Sequence, residues 1–304
     1  MAEPKTTNIM QNDTLKPFSE TGFSNPSGIP FAAWNTERDG SGTTYLDCQK
    51  ITENTTPLTL YAQWGLLVNW DSQGGTACPP SVIQPNQQIG ILPAPTKSQY
   101  TLDGWYTAAS GGTKITSSKT VSNNVTYYAH WTGVQYSFST NYSISSLDGA
   151  TSPEMRIFAN RTIPNGTWNL KFNNVVLKHF GKTTGCRAVM FICIKNPSNA
   201  AQWKYITIAS SNTTITGSPR GIGFAKYSRT RASGGKTTTQ NITTLYGTGY
   251  GKDETSGQFV LTIKNVNLPY AQNTLWIQVW GYGGGDGSCA GCNLYIPSGT
   301  ITRI

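Results

Sequence analysis

The most informative part of the sequence runs from residue 67 to residue 131. It begins with an alternating segment, Leu67-Val68-Asn69-Trp70-Asp71, which Gly74-Gly75 ends. After a Pro-rich span come Tyr100-Thr101-Leu102-Asp103-Gly104-Trp105-Tyr106-Thr107, the turn Ser110-Gly111-Gly112-Thr113 and the closing run Val125-Thr126-Tyr127-Tyr128-Ala129-His130-Trp131. Short runs of apolar and aromatic residues between Gly, Pro and Asn breaks predict strands. The stretch therefore predicts a small β-rich module.

These residues resemble the Listeria–Bacteroides repeat, also called the internalin-type B repeat. Members of that family have a strand, a Gly-Gly turn, a Pro-rich span, the motif Tyr-Thr-Phe-x-Gly-Trp-Tyr-Thr, a Gly-Gly-Thr turn and a final Tyr-Ala-x-Trp. Leu102 stands here in place of the Phe, and residues 66–132 are predicted to form a full repeat module. The resemblance implies a β-grasp-like module that is a spacer or adhesive unit on bacterial surfaces and on some phage proteins, and not an enzyme.

A truncated second copy matches the back half of the repeat at residues 31–64, within a module predicted at 31–65. The run Phe31-Ala32-Ala33-Trp34-Asn35-Thr36 corresponds to Leu102–Thr107, and Leu60-Tyr61-Ala62-Gln63-Trp64 corresponds to Tyr127–Trp131. Indole rings are large enough to fill the core of a small module. Four tryptophans are therefore predicted to be buried structural anchors: Trp34, Trp64, Trp105 and Trp131.

Residues 1–30 are polar and carry Pro at positions 4, 17, 26 and 30. Such a segment does not form a core of its own, so it is predicted to be an N-terminal arm. A module that lacks its first strand leaves a sheet edge exposed. The arm is predicted either to supply that strand or to tether the chain to a neighbouring subunit.

The composition favours a surface protein over a helical enzyme. Charged residues make up 12% of the 304 residues, whereas there are 32 Gly, 15 Tyr and 9 Trp. This balance is typical of β-sandwiches. No apolar run reaches the length of a membrane span. The start, Met1-Ala2-Glu3-Pro4-Lys5-Thr6, lacks the build of a signal peptide. This predicts either that a signal has been removed or that the protein is released by another route, such as assembly into a virus particle.

Residues 133–304 carry no recognised family motif, and their pattern alone predicts the fold. Short apolar runs are separated by Gly and Asn turns, without helical periodicity. This pattern predicts an antiparallel, jelly-roll-like β-sandwich. The predicted strands are Thr167–Leu177, Ala188–Ile194, Trp203–Ala209, Phe259–Ile263, Thr274–Trp280 and Asn293–Ile296.

Positive charge is concentrated in this C-terminal part. Residues 133–304 hold 16 Lys+Arg and 5 Asp+Glu, a net of +11, whereas residues 1–132 hold 7 and 9, a net of −2. A field of this kind favours an anionic partner. The densest basic stretch contains aromatics and is predicted to be a partner-binding loop, with these candidates: Arg220, Lys226, Tyr227, Arg229, Arg231 and Lys236. A solvated hairpin, or a contact with an acidic protein surface, is favoured over nucleic-acid binding, because no known nucleic-acid-binding fold surrounds the stretch.

The cysteine pattern does not predict a metal site. Cysteines stand at positions 48, 78, 186, 193, 289 and 292. The last four would supply four thiolates, but Cys186 and Cys193 are seven apart and would point to opposite faces of one strand. Cys193 lies in an apolar run and is predicted to be a buried free thiol.

Catalytic and cofactor motifs are also not predicted. His130 and His179 have no nucleophile or carboxylate at a useful spacing. Gly234-Gly235-Lys236-Thr237 lacks the first glycine of a phosphate-binding loop, since Thr230 stands there. Asp253 and Glu254 are adjacent carboxylates, and Asp286 stands alone in a Gly-rich loop.

These patterns predict a non-enzymatic structural protein of a phage virion, such as a capsid decoration protein, head fibre or tail component. The arm and the basic stretch would contact other virion proteins, in a homo-oligomer or a larger assembly. One alternative is an extracellular adhesin on a bacterial surface that binds an acidic host polymer or glycan. The other is a glycan-active enzyme with the repeats as appendages, working through paired carboxylates.

Overall fold

A computed structural model describes residues 5–6, 13–25, 27–52, 58–146, 154–159, 161–181, 187–248, 255–282 and 289–304. Strands account for 60% of the structure and helix for 1%, so the predicted all-β fold class is confirmed. The chain divides into two compact units, Met1–Thr132 and Gly133–Ile304. Within the described ranges, no helix is long and apolar enough to cross a membrane.

The first unit contains two four-stranded sheets, one for each copy of the repeat. The first sheet has the order β1-β4-β2-β3, and the second has the order β6-β5-β8-β7. A short 3-10 helix at Phe18–Glu20 lies between β1 and β2 along the chain. β5 and β8 run parallel, whereas β1 and β4 run antiparallel. The strands are β1 (Lys5–Thr6), β2 (Phe31–Asn35), β3 (Thr44–Tyr45), β4 (Thr59–Trp64), β5 (Leu66–Asp71), β6 (Ser81–Ile83), β7 (Tyr100–Tyr106) and β8 (Val125–Gly133).

Trp105 fills the centre of the full repeat, where its side chain is 1% exposed. The ring of Trp70 meets it edge-on at a centroid distance of 4.8 Å. Nε1 of Trp105 donates a 2.8 Å hydrogen bond to the carbonyl oxygen of Pro93. Because side chains alternate along β8, Tyr127 and Ala129 point inward and are buried beside it.

Trp34 is buried in the first copy as Trp105 is in the second, whereas Trp131 and Trp64 are only partly buried, so the prediction that these two are buried is wrong. Trp131 still packs against the cluster around Trp105, and Trp64 meets the rings of Phe18 and Phe31 edge-on. Both indoles are partly exposed, because each is the last inward-facing side chain of its strand. Nε1 of Trp131 donates a 2.8 Å hydrogen bond to the carbonyl oxygen of Ser72. Its ring covers Gly75, where a Cβ atom would lie 2.5 Å from Cζ2.

Part of the predicted N-terminal arm belongs to the core of the first copy. Leu15 is 5% exposed and lies in one cluster with Trp34, Ile51 and Leu60. The ring of Phe18, also in the predicted arm, packs against the same cluster. β1 pairs with β4 through Lys5 and Leu60, so this short stretch supplies the predicted added strand. The described residues 13–25 and 27–30 are therefore part of the module and not a free tether.

We expect Leu15→Ala to lower the free energy of unfolding of the first copy by about 2 kcal/mol, because it leaves a cavity among apolar side chains. The matched control is Lys16→Ala, an exposed neighbour, for which we expect a change within about 0.5 kcal/mol. Hydrogen exchange of peptides from residues 31–64 measures both. Equal protection in the two variants would show that Leu15 does not contribute to the core.

The second unit consists of antiparallel strands around one large core. Its principal path has the order β10-β19-β12-β18-β13-β17-β16. The described strands are β9 (Gln135–Phe138), β10 (Tyr142–Ser146), β11 (Met155–Ile157), β12 (Ile163–Gly181), β13 (Arg187–Asn196), β14 (Asn199–Tyr205), β15 (Thr213–Gly217), β16 (Ile222–Ser233), β17 (Lys236–Thr248), β18 (Phe259–Tyr282), β19 (Cys289–Ile296) and β20 (Ser298–Arg303).

Two long strands connect the layers of this unit. β12 pairs with β20 through its first half and with β19 through its second, and β18 changes partners from β15 to β13. Register shifts interrupt the β12–β18 ladder at three places, and such irregularities bend strands between layers. Phe259–Ile263 and Thr274–Trp280 therefore belong to one strand, where two were predicted. The jelly-roll topology stays a prediction.

β13 has apolar side chains on both of its faces, and the candidate site lies on the outer face. Ala188, Met190, Ile192 and Ile194 enter the large core, together with Trp168 and other buried residues. The alternate residues of β13 point the other way, into a second and smaller cluster: Val189, Phe191 and Cys193. This sheet is therefore covered on its outer face as well.

Candidate binding face

The second cluster is a layer of aromatic rings on the outer side of β13. Phe191, Trp203 and Tyr205 are buried in it, and four further rings pack against it while staying partly exposed: Tyr227, Tyr246, Trp276 and Trp280. We call these rings and the cations that lie on them the cation–aromatic face. The hydroxyl of Tyr205 donates a 3.0 Å hydrogen bond to Oε1 of Gln278, and burial raises the pKa of this phenol.

Each of four cations lies on a ring of this face. The atom-to-centroid distances are 4.0 Å for Lys195 on Trp276, 4.7 Å for Arg187 on Tyr246, 4.8 Å for Arg229 on Trp280, 4.9 Å for Arg229 on Phe191 and 5.3 Å for Arg231 on Trp203. A cation within about 6 Å of a ring centroid is attracted by the negative face of the ring. The rings therefore hold the four charges in place.

Arg229 shows that the sheet curls at this face. Its strand, β16, pairs with β17, and β17 pairs with β13, whereas Trp280 lies on β18 at the other side of β13. Side chains stand roughly perpendicular to a sheet, so in a flat sheet three strand spacings would hold the Arg229 guanidinium about 14 Å from the Trp280 ring. The hairpin of β16 and β17 must therefore bend over the aromatic layer, which makes the face concave.

Charge balance at the face depends on Glu154. Its carboxylate accepts from Nη1 and Nη2 of Arg231 and from Nζ of Lys195, and all three side chains are less than 20% exposed. Glu154 is the one acidic residue of this unit that lies in the described ranges. Nε of Arg229 is buried and has no hydrogen-bond partner there. The face thus carries more positive charge than its described carboxylate neutralises.

A known family matches most of the first unit of the chain. The profile of the Listeria-Bacteroides repeat domain matches residues 7–63 and residues 67–130. These two segments are Listeria-Bacteroides repeats. The first match begins at residue 7, so residues 7–30 of the predicted arm belong to the repeat. No family profile matches residues 133–304.

One curated protein is similar to part of the chain. A putative Gly-rich membrane protein of Evansella cellulosilytica is 34% identical over 117 residues. The match covers 37% of this chain but only 13% of the relative, so it concerns a small part of that protein. No solved structure matches the chain. The Listeria-Bacteroides repeat is associated with surface and adhesion-like bacterial proteins.

The motif of the full repeat forms a surface cluster around His130. Nε2 of His130 lies 2.9 Å from the carbonyl oxygen of Ala108, and its ring stacks on Tyr106 at 3.8 Å. The hydroxyl of Tyr106 donates to Asp103, which lowers the pKa of that carboxyl. These contacts join the ends of β7 and β8 and give His130 a structural role. The side chain of His179 lies outside the described residues.

The structure brings together only some of the predicted partner-binding residues. Tyr227, Arg229 and Arg231 share the cation–aromatic face, whereas Lys226 points to the other side of β16 and is exposed. Arg220 is exposed in the turn before β16. The side chain of Lys236 lies outside the described residues. The expectation that these side chains lie in a loop is wrong, and the hairpin interpretation is confirmed, because β16 and β17 pair over twelve positions around a Gly234-Gly235 turn.

Several members of the face were not predicted from the sequence. They are Glu154, Arg187, Phe191, Lys195, Trp203, Tyr205, Tyr246, Trp276 and Trp280. The run Leu275–Trp280 carries the signal for two of them, since aliphatic residues alternate there with Trp276 and Trp280. When aliphatic and aromatic side chains alternate along a strand, the pattern indicates that both faces of the strand are covered.

The described cysteines do not converge on a metal. Cys193 faces the aromatic layer and Cys292 lies in the large core, while the side chains of Cys186 and Cys289 are outside the described residues. No group of three or more metal-ligating side chains occurs within the described ranges. Cys193 is buried with a free thiol, as predicted. Asp253, Glu254 and Asp286 lie outside the described residues.

We expect the Cys193 thiol to resist alkylation in the folded protein. Burial raises its pKa to about 12, so almost none of it is thiolate at neutral pH. Cys48 is exposed and is the internal control. Iodoacetamide followed by peptide mass spectrometry should label Cys48 in the native chain and Cys193 only after denaturation. Labelling of both at one rate in the native chain would contradict the buried position of Cys193.

Proposed function

We propose that this chain is a non-catalytic attachment protein of a bacterial surface. The two repeats display the C-terminal unit, and the cation–aromatic face of that unit binds an anionic surface polymer. The observation that carries the proposal is the group of four cations fixed on rings, near which Glu154 is the one described carboxylate. Fixed cations lose little side-chain entropy when they bind an anion, which favours affinity.

The rest of the chain supports an electrostatic mode of attachment. The net charge of +11 on residues 133–304 extends the positive field of the face over the whole unit. Such a field raises the rate at which a polyanion associates. The two repeats carry a net of −2 over residues 1–132 and so do not compete for the same partner.

Binding of the full chain to dextran sulfate tests this proposal with a defined polyanion. We expect binding to weaken steeply between 0.1 M and 1 M salt, as the Debye length falls from about 10 Å to about 3 Å. A bacterial cell-wall fraction should give the same dependence. Binding to neither polymer, or binding that is indifferent to salt, would refute an electrostatic attachment face.

Location and catalysis need separate experiments. The virion is the alternative location, and mass spectrometry of purified phage particles against the wall fraction separates the two. Recovery in the particles alone would show that the chain, with the same attachment face, belongs to a virion. For the alternative of a glycan-active enzyme, release of reducing ends from wall polysaccharide by the purified chain would replace the non-catalytic proposal.

A further inference from the structure

We propose that the cation–aromatic face recognises the carboxylates of an acidic polysaccharide, a polyuronate, and that Glu154 occupies one carboxylate subsite within the chain itself. This inference rests on the proposed attachment function and gives it a ligand class. It also assigns to Glu154 the role of an internal competitor. Removing the carboxylate of Glu154 therefore strengthens binding.

The contacts of Glu154 show how the face holds a carboxylate. Nη1 and Nη2 of Arg231 donate to Oε1 and Oε2, the second over 2.8 Å, and Nζ of Lys195 donates to Oε2. This two-pronged arrangement is the one that a planar guanidinium makes with any carboxylate. The ring of Trp203 lies under Arg231 and the ring of Trp276 lies under Lys195. A cation on a ring is thus the unit that forms the subsite.

A cation on an aromatic ring occurs at two further positions of the face, where no described carboxylate lies. Arg229 lies between the rings of Phe191 and Trp280, and Arg187 lies on Tyr246. One position of the face is filled from within the chain, while the described part of the chain offers no carboxylate to the other two. Several cations on one concave face suit a polymer with a carboxylate on each unit better than they suit a single small anion.

The aromatic layer favours a polysaccharide over single-stranded nucleic acid. Bases bind such platforms by stacking on open ring faces. Here guanidinium and ammonium groups already lie over the rings of Trp203, Trp276 and Trp280. The partly exposed remainder of Trp276 and Trp280 is an apolar surface that can pack against the C–H groups of sugar rings.

A purely structural role for Glu154 predicts a different outcome. Glu154 directly precedes β11, whose first residue pairs with Ile277 of β18, so its ion pairs also hold this edge strand to the face. If that were its whole role, Glu154→Gln would lower stability and would leave binding unchanged or weaker. An internal competitor gives tighter binding despite the lower stability, because the ligand takes the place of the lost counter-ion.

The test compares the full chain with Glu154→Gln, using short oligogalacturonate chains as the probe. We expect the variant to bind about tenfold tighter, since the ligand no longer displaces a carboxylate bonded to charged donors. Glu20→Gln changes the net charge equally at an exposed position of the first repeat and should bind like the wild type. Fully methyl-esterified chains should not bind. We also expect the ligand to raise the melting temperature more in Glu154→Gln than in the wild type.

The results that would overturn the inference are distinct from those that would overturn the attachment function. Unchanged or weaker binding by Glu154→Gln, or equal binding of the methyl esters, refutes the carboxylate subsite. Tighter binding of single-stranded DNA than of oligogalacturonate refutes the polysaccharide class. If dextran sulfate binds in a salt-dependent way while neither form of the chain binds oligogalacturonate, the ligand class fails and the attachment function stands. If neither polymer binds, both fail.

Discussion

Trp105→Ala is expected to lower the free energy of unfolding of the full repeat by about 3–5 kcal/mol, the range for a large aromatic removed from a core. The indole is 1% exposed, packs edge-on against Trp70 and donates a hydrogen bond to Pro93. Alanine leaves a large cavity and also leaves the carbonyl oxygen of Pro93 without this donor. A small module has little other core to compensate for that loss.

Hydrogen exchange of peptides from residues 100–131 is the suitable measurement, because a chain with two units does not unfold in a single transition. Trp131→Ala is the matched control, since this indole is partly exposed at the end of β8. We expect it to cost less than Trp105→Ala. Equal losses of protection in the two variants, or none in Trp105→Ala, would contradict the assignment of Trp105 as the centre of the repeat.

The second large effect is expected at the cation–aromatic face. Arg229→Gln combined with Arg231→Gln should weaken binding of the full chain to dextran sulfate about a hundredfold at low salt. Two charge-assisted contacts are lost, and each accounts for about a factor of ten. Near 1 M salt the variant and the wild type should converge, because screening removes most of the remaining attraction.

The matched control removes two positive charges from the same region but not from the face. Arg220 is exposed in a turn, and Lys226 points to the opposite side of β16. Arg220→Gln combined with Lys226→Gln should weaken binding only slightly. If both double variants weaken binding equally, net charge alone governs attachment, and the geometry of the face plays no part.

Glutamine is the appropriate replacement because these arginines are not loop residues. Their side chains cover Phe191, Trp203 and Trp280, and a serine would expose those rings to water. An arginine that packs on an apolar surface stabilises a fold through its stem as well as through its charge. A change of Arg229 and Arg231 to Ser would therefore alter packing together with binding.

The repeats were predictable because their motif combines local and long-range signals. Gly75 lies where the ring of Trp131 leaves no space for a Cβ atom, and Trp105 stands at an inward position of β7. The role of Leu15 could not be predicted in this way. A single leucine in a polar segment gives no periodic signal, and only the folded chain shows that it meets Trp34 and Leu60.

The candidate site was less predictable, because it depends on sheet curvature. The sequence places Arg229 and Arg231 in a basic stretch, but Trp280 is about 50 positions away and Glu154 is more than 70 positions away. They meet because the hairpin of β16 and β17 curls over β13. Strand alternation predicts which side chains share a face of one strand, but it does not predict which strands bend towards each other.

Hydroxyl-radical footprinting of the full chain with and without dextran sulfate shows whether the cation–aromatic face is the surface that binds the polyanion. We expect peptides with Trp276 and Trp280 to become protected at low salt and to lose this protection at high salt, while peptides with Trp64 and Trp131 keep their reactivity. These two indoles are also partly exposed, so they report on the repeats. Protection confined to Trp64 and Trp131, with Trp276 and Trp280 unchanged, would contradict the account and would place the attachment surface on the repeats.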